Sequence, residues 1–448
     1  MNVHDRASAP TTEAAPTAAD AGRPSHEKSD EPSGATDHAG HGTGPLSIFS
    51  SLRHRDYRLL WIGTLFLSAG QWIQQVTLGW LLYELTGSPV LLGAMHAVRA
   101  LPFLFIGPFA GVAADRFDRR GILLVTIPIM ITACVLMGFL VGSGLLETWH
   151  ILFFSAFTAI IWAINNPVRQ TLVPNLVPRR DLMNAIALNS AGFNSQKVIG
   201  PAIGGILIAA MGPAENFFLQ ATSYGMVLFL FGLMRVPPTP PNARKSSVAS
   251  NFREGLSYVR REPMLLAMLV AALVPPLFSL PVTMAMLPVF QKDVYGVGPE
   301  GLGMLMAGPG FGAVIATLGL ASISHRVRRQ GLLMIIDLVL LGLAMIVFSS
   351  APTLPLAVLA LVGVGIFQMA FFTLNHTLLQ TIVPDELRGR VNAIFMADHG
   401  LGPAGSLVAG ALTMVIGAQA TVAIFGGIIL LAAALLAWRS PRLLSAGI

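Results

Sequence analysis

The chain has 448 residues, 54% hydrophobic and only 11% charged, with a formal net charge of +6 and a mean hydropathy of +0.68. A soluble domain carries roughly a quarter charged residues, so most of this chain belongs in lipid. No Gly-Lys dipeptide, HExxH, CxxC or nucleophile elbow occurs, which excludes a Walker-type ATP-driven pump and the common metal and hydrolase sites.

Residues 1–46 are rich in Ala, Pro, Thr, Ser and acidic residues and almost lack large apolar ones. They cannot bury a core and read as a disordered tail. No basic stretch leads into an apolar one with a cleavage site, so this is not a signal peptide. His38 and His41 have no further ligand nearby, so no metal site is expected. Ser47–Arg58 is amphipathic and basic and should lie along the inner membrane face.

Apolar runs follow at 59–83, 90–114, 121–142, 149–168, 184–211 and 216–235, and then at 264–290, 300–324, 331–349, 354–380, 390–416 and 420–438. Each is about the 20 residues that cross a bilayer as a helix. Alternate loops hold Arg53, Arg55 and Arg58; Arg116, Arg119 and Arg120; Arg169, Arg179 and Arg180; Arg326, Arg328 and Arg329; Arg388 and Arg390; and Arg439 and Arg442. The other loops hold only Lys292 as a basic residue. The positive-inside rule then puts both termini in the cytoplasm. The expected organisation is a six-helix half over 47–236, a linker over 237–262, a second half over 263–440 and a short cytoplasmic tail over 441–448. The linker opens with Pro237, Pro238, Pro240 and Pro241, and Asn251 with Glu254 reads as the cap of a short surface helix. The net basic charge sits in membrane-flanking loops and implies no nucleic-acid partner. Cys134 is the one cysteine, so no intrachain disulfide forms.

Two repeats tie the halves together. The turn Gly111–Gly121 carries Asp115, Arg116, Arg119 and Arg120, and its arginines return as Arg326 and Arg329 before Gly331, with His325 in place of Asp115. Gln170-Thr-Leu-Val-Pro174 before Asn184-Ala-Ile186 returns as Gln380-Thr-Ile-Val-Pro384 before Asn392-Ala-Ile394. Matching positions imply two parallel six-helix units, an all-α membrane protein.

On these residues the chain resembles the major facilitator superfamily. The turn Gly111…Asp115-Arg-Phe-Asp-Arg119-Arg120 and the run Gly200-Pro201-Ala-Ile-Gly204-Gly205 are similar to its signatures, the second to that of the antiporter branch. With Ala100-Leu-Pro102, Asn166-Pro167-x-Arg169 and Val383-Pro-x-x-x-Arg-Gly-Arg390, the chain looks most like the enterobactin exporters and macrolide efflux proteins, over about 50–440. The resemblance implies alternating access. Asp115 would face the N-terminal end of span eleven, near Arg388 and Arg390, and steady one closed state through the helix dipole. Arg169 is a natural partner for it. Arg116, Arg119 and Arg120 either share in gating or only set topology. The glycines of the Gly-Pro run allow close helix packing, and Pro201 beside them points to a shape that seals a leak path.

Ionisable groups inside spans are costly and usually functional. Asp398 and His399 lie deep in span eleven and Asp337 in span nine, the proton-coupling candidates. Exporters of this superfamily often keep a carboxylate in span one or four, and here only Glu84 stands near the outer end of span one. Gln71, Gln74 and Gln75 share a helical face that reads either as cavity lining or as a hydrogen-bond seam. His96, Arg99, Lys197, Asn375 and His376 complete the cavity candidates, with no clustered charge of one sign. The reading is a monomeric exporter of a siderophore or drug in a bacterial cytoplasmic membrane, driven by protons and needing no cofactor. An uptake symporter, a lipid flippase and a non-transporting scaffold are the rivals.

The arginine placement makes a direct prediction. Cysteines introduced at Ser33, Ser246 and Ser445 will resist an impermeant thiol reagent in intact cells. Labelling of any one from outside breaks the twelve-span topology.

Overall fold

The computed structural model describes residues 50–106, 118–236, 257–260, 262–323, 329–384, 387, 390–392, 394–395 and 401–444. Asp115, Arg116, Arg388, Asp398, His399, the His38/His41 pair and most of the amphipathic linker lie outside them.

Twelve long helices make up the described chain. They are α1 (Arg55–Thr86), α2 (Pro89–Phe105), α3 (Arg119–Gly142), α4 (Thr148–Leu176), α5 (Leu182–Met211) and α6 (Pro213–Gly232). After the linker come α7 (Pro263–Val294), α8 (Pro299–Ile323), α9 (Gln330–Ser349), α10 (Leu354–Ile382), α11 (Gly402–Ile416) and α12 (Ala418–Arg439). Large apolar side chains such as Phe139, Leu359 and Val415 point outward, as a bundle solvated by lipid requires.

Local chemistry sets the ends. Gly87 stops α1 in the left-handed region at φ 57°, and Ser88 caps α2 ahead of Pro89. Asp118 caps α3 by accepting from the Arg120 and Gly121 amides at 3.3 and 2.9 Å. Gly212 and Gly417, at φ 104° and 84°, make the sharp turns from α5 to α6 and from α11 to α12. In α7, prolines at 275, 276, 281 and 288 accompany three wide π-type turns, Pro275–Ser279, Val282–Met286 and Phe290–Val294. Missing proline amides free carbonyls of the preceding turn, and wider turns accommodate them.

The twelve helices pack as two six-helix halves. In the first, α1 lies against α5 and α6, α3 against α6, and α2 against α4. In the second, α10 lies against α8 and α9, and α9 against α12. Across the junction α5 meets α8 and α2 meets α11. The second helix of each half therefore pairs with the fifth helix of the other, as the internal repeat demands.

The two cross-pairs approach through residues without side chains. A Cβ at Gly205 would lie 2.5 Å from the Pro299 carbonyl, and one at Gly303 2.8 Å from the Pro201 carbonyl. On the other seam a Cβ at Gly93 would lie 2.4 Å from the Ser406 carbonyl, and one at Gly410 2.5 Å from that of Pro89. These approaches sit toward the end opposite the arginine-bearing loops, called here the far end. Gly205→Ala should cost about 1–3 kcal/mol, since backbone has to shift to admit the methyl. Unfolding in mixed micelles will register that loss, whereas Gly225→Ala, where a Cβ has nothing within 4 Å, will be neutral.

Candidate functional site

A cavity of about 460 Å³ lies between the halves. Trp72 of α1 and Asn194 and Lys197 of α5 face Met284 of α7, Gln368, Phe371 and Phe372 of α10, and Phe395. Aromatic and Met surface thus surrounds a few polar groups, the usual make-up of a site for a small molecule. Among the described residues Lys197 is the one charged side chain in this lining, and its Nζ stands 5.4 Å over the Phe193 ring. A second cavity, about 530 Å³, opens between α4 and α5 toward the arginine end. Asn194 borders both, and among the described residues Arg169 is the one charged side chain of the second lining.

The N-terminal half is stitched by buried hydrogen bonds. Gln220 Nε2 donates to Gln74 Oε1 at 2.8 Å, to Gly70 O at 2.9 Å and to Tyr224 Oη at 2.9 Å. Gln74 Nε2 donates to Thr158 at 3.1 Å, and Asn216 Nδ2 donates to Thr77 at 2.9 Å. Of the two readings of the glutamine face, the seam therefore holds for Gln74, which is 2% exposed. Gln75 donates across the junction to Met284 Sδ at 3.4 Å, and His96 meets the Met284 backbone. Both back the cavity at Met284 and are absent from its lining. Gln71 also lies off the lining, with a buried Oε1 lacking a partner.

Other expected cavity residues sit elsewhere. Asn375 is fully buried and donates to Met268 O at 3.1 Å, so it joins α10 to α7 inside the second half. His376 stands one layer behind the wall: it bonds to Asn392 at 2.9 Å and lies parallel to Phe372, 5.9 Å between centroids. Arg99 is interior to the first half, and one guanidinium nitrogen has no hydrogen-bond partner. Asp337 is 7% exposed within the second half, with Oδ2 unpartnered and away from both cavities.

The expected gate residues divide by role. Arg119 donates to Thr171 O at 3.1 Å. Arg120 donates to Phe231 O at 3.2 Å and Gly232 O at 2.6 Å, neutralising the open carbonyl end of α6. Both bind the first half to itself. Arg169 is 6% exposed, 5.0 Å over the Trp162 ring, with Nε and Nη1 lacking partners. Arg390 belongs to the short helical piece preceding α11. Outside the spans, Asp181 bonds to His54 at 2.9 Å and Ser50 at 3.2 Å. The His54 hydrogen bond holds its carboxyl below the usual carboxylate range.

The Gly-Pro-x-x-Gly-Gly run packs on two sides. Gly200 and Gly204 face α1, where added Cβ atoms would lie 2.5 Å from Trp72 Cβ and 3.2 Å from Ile73 Cα. Gly205 faces α8 across the junction. Pro201 has no amide for the Lys197 carbonyl one turn back, and Gly310 of α8 packs closely on that carbonyl.

Sequence reasoning passed over a polar cluster at the far end. Lys292 of α7 pairs with Glu84 of α1 at 2.9 Å, and Tyr83 donates to Asp293. Among the described residues these two contacts, with Gln75–Met284 and the His96 bond to the Met284 backbone, join the halves through side-chain hydrogen bonds. A signal existed: α1 and α7 are equivalent in the repeat, and Glu84 and Lys292 are opposite charges at equivalent ends.

The family of transmembrane secretion effectors matches residues 46–444. The chain is 27% identical over 371 residues to the Staphyloferrin A transporter of Staphylococcus aureus, covering 80% of this chain and 90% of that one. It is 25% identical over 372 residues to the multidrug efflux pump Tap of Mycolicibacterium fortuitum, covering 81% and 90%. In fold it is similar to a bacterial homolog of the human lysosomal transporter Spinster, at a TM-score of 0.67 and 17% identity, covering 87% of this chain and 98% of that one.

The far-end cluster generates a test. Lys292 and Glu84 are half-exposed, and such a pair is worth about 0–1 kcal/mol, enough to move a balanced equilibrium up to about fivefold. With spin labels at Glu215→Cys and Ser350→Cys, Lys292→Ala will add a longer-distance population. Exchanging the charges, Glu84→Lys with Lys292→Glu, will remove it. Unchanged distances would deny the cluster any part in closure.

Proposed function

Because the chain belongs to the transmembrane secretion effector family of the major facilitator superfamily, a family of transporters and not of enzymes, we propose that it exports a small hydrophobic or amphipathic compound, a siderophore or a drug, in exchange for protons. The observation that carries this reading is the central cavity, walled by Trp72, Phe372 and Phe395 from both halves, with the glycine seams and the Tyr83/Glu84/Lys292/Asp293 cluster beyond it toward the far end. A site between two bodies that close on one side is what alternating access needs.

The arginine end faces the cytoplasm of a bacterial cell in this proposal, and a monomer suffices. The domain division proposed is a tail over 1–46, halves over 47–236 and 263–440, a linker between them and a tail over 441–448. Substrate enters from the arginine end past Arg169, and the halves rock to release it at the far end. A carboxylate that changes environment during the rocking carries the proton. Asp398 is the first choice, with His399 beside it, and Asp337 the second. The resemblance assigns Asp115, with Arg116, Arg388 and Arg390, the steadying of the state closed at the arginine end.

Inverted vesicles with an imposed pH gradient, a pH dye and a fluorescent amphiphile test this. Wild type will accumulate the amphiphile and release protons in exchange, whereas transport in the opposite sense would make the chain an importer. Asp398→Asn will abolish gradient-driven transport and leave downhill exchange, and His399→Ala will be milder. If Asp398→Asn still moves protons with substrate, coupling lies elsewhere and Asp337→Asn is the next variant.

A further inference from the structure

A lysine near the bilayer centre costs about 2.5–3.5 kcal/mol on insertion scales, and such groups normally find a counter-charge. Lys197 finds none: among the described residues no carboxylate pairs with it, and its ammonium group has only the Phe193 face. The carbonyl of the same residue is pinned by Gly310 of α8, so its backbone is held at the junction of the halves. The next cation on the path is Arg169, also buried and with unpartnered nitrogens. Neither cavity lining contains a carboxylate among the described residues. Among the described residues each cavity thus carries a single cation, Lys197 on α5 and Arg169 on α4, two consecutive helices.

We propose that the central cavity binds an amphipathic organic anion of the carboxylate class, with its acid group on Lys197 and its apolar body against Trp72, Phe372 and Phe395. Arg169 meets the same acid group earlier, on the arginine-end side. Asn194, shared by both cavities, supplies an amide between the two cations. The ligand thus brings the counter-charge that the protein lacks. It does so in a setting of low polarity, where a charge-assisted hydrogen bond is strong. This inference rests on reading the cavity as the transport site.

The test uses the full chain in nanodiscs and three probes with one fluorophore: 6-(dansylamino)hexanoate, its methyl ester and dansylcadaverine. The acid will bind about tenfold more tightly than the ester or the amine, the worth of one charge-assisted bond. Lys197→Gln will bring the acid to the level of the ester, and Lys197→Arg will keep most of the preference. The assignment is overturned if wild type binds acid and ester equally, if folded wild type does not bind the acid, or if the preference survives in Lys197→Gln. Vesicle transport of the same probes separates the two readings. An acid preference dependent on Lys197 without export sinks the export reading alone. Export indifferent to probe charge and to Lys197 sinks the anion site alone.

Discussion

Backbone contact between the halves is the constraint on which the rest depends. At Gly205 with Pro299 and at Gly93 with Ser406, even a methyl group would collide with a carbonyl. In lipid there is no hydrophobic drive to bring helices together, so close van der Waals approach of small residues has to supply it. That approach closes the far end, sets the distance between α1 and α7 at which Tyr83, Glu84, Lys292 and Asp293 can bond, and leaves a cavity lower down where the helices diverge. The polar cluster then fastens a closure that packing has already made.

The halves are held together internally by different means. In the first, Gln74, Thr158, Asn216 and Gln220 link α1, α4 and α6 by buried side-chain bonds, and Arg119 and Arg120 fasten α3 to α4 and α6. In the second, Asn375 makes one such bond to α7, and contact is otherwise largely apolar. Gly342 and Gly426 there meet at each other's carbonyls, 2.8 Å from an added Cβ.

Periodicity and charge made the architecture legible. Twelve apolar runs correspond to twelve helices among the described residues, and the clearest departure is α4, which continues to Leu176, eight residues past the expected end at 168. The Gly-Pro run was legible as packing, but its two faces were not, since facing α1 and α8 at once is a property of the assembled junction. The glutamines show the same limit. Spacing puts Gln71, Gln74 and Gln75 on one side of α1, yet Gln74 turns into a seam because Gln220 of α6 is there to meet it. Asn375 read as cavity polarity and Asp337 as a proton-coupling group from depth alone, and depth does not say which side of a helix faces the other half. Phe372 and Phe395 carried no signal beyond hydrophobicity, although His376, singled out as an ionisable group within a span, stacks on the first and lies tilted against the second.

The wide turns of α7 have a mechanical consequence. An α-helix is stiff along its axis because every carbonyl is tied to one amide four residues on. Three stretches of α7 relax that pattern, and the first two, with Pro275, Pro276, Thr283 and Met284, line the cavity. Bending there breaks few bonds, since prolines have already removed some of them. The first half, cross-braced by directional bonds, resists such deformation. Accommodation of ligands that differ in size therefore falls on one wall, with α7 as its compliant element, while the opposite wall keeps Lys197 and Trp72 at a constant spacing. A transporter built this way can read one chemical group strictly and the rest of a molecule loosely.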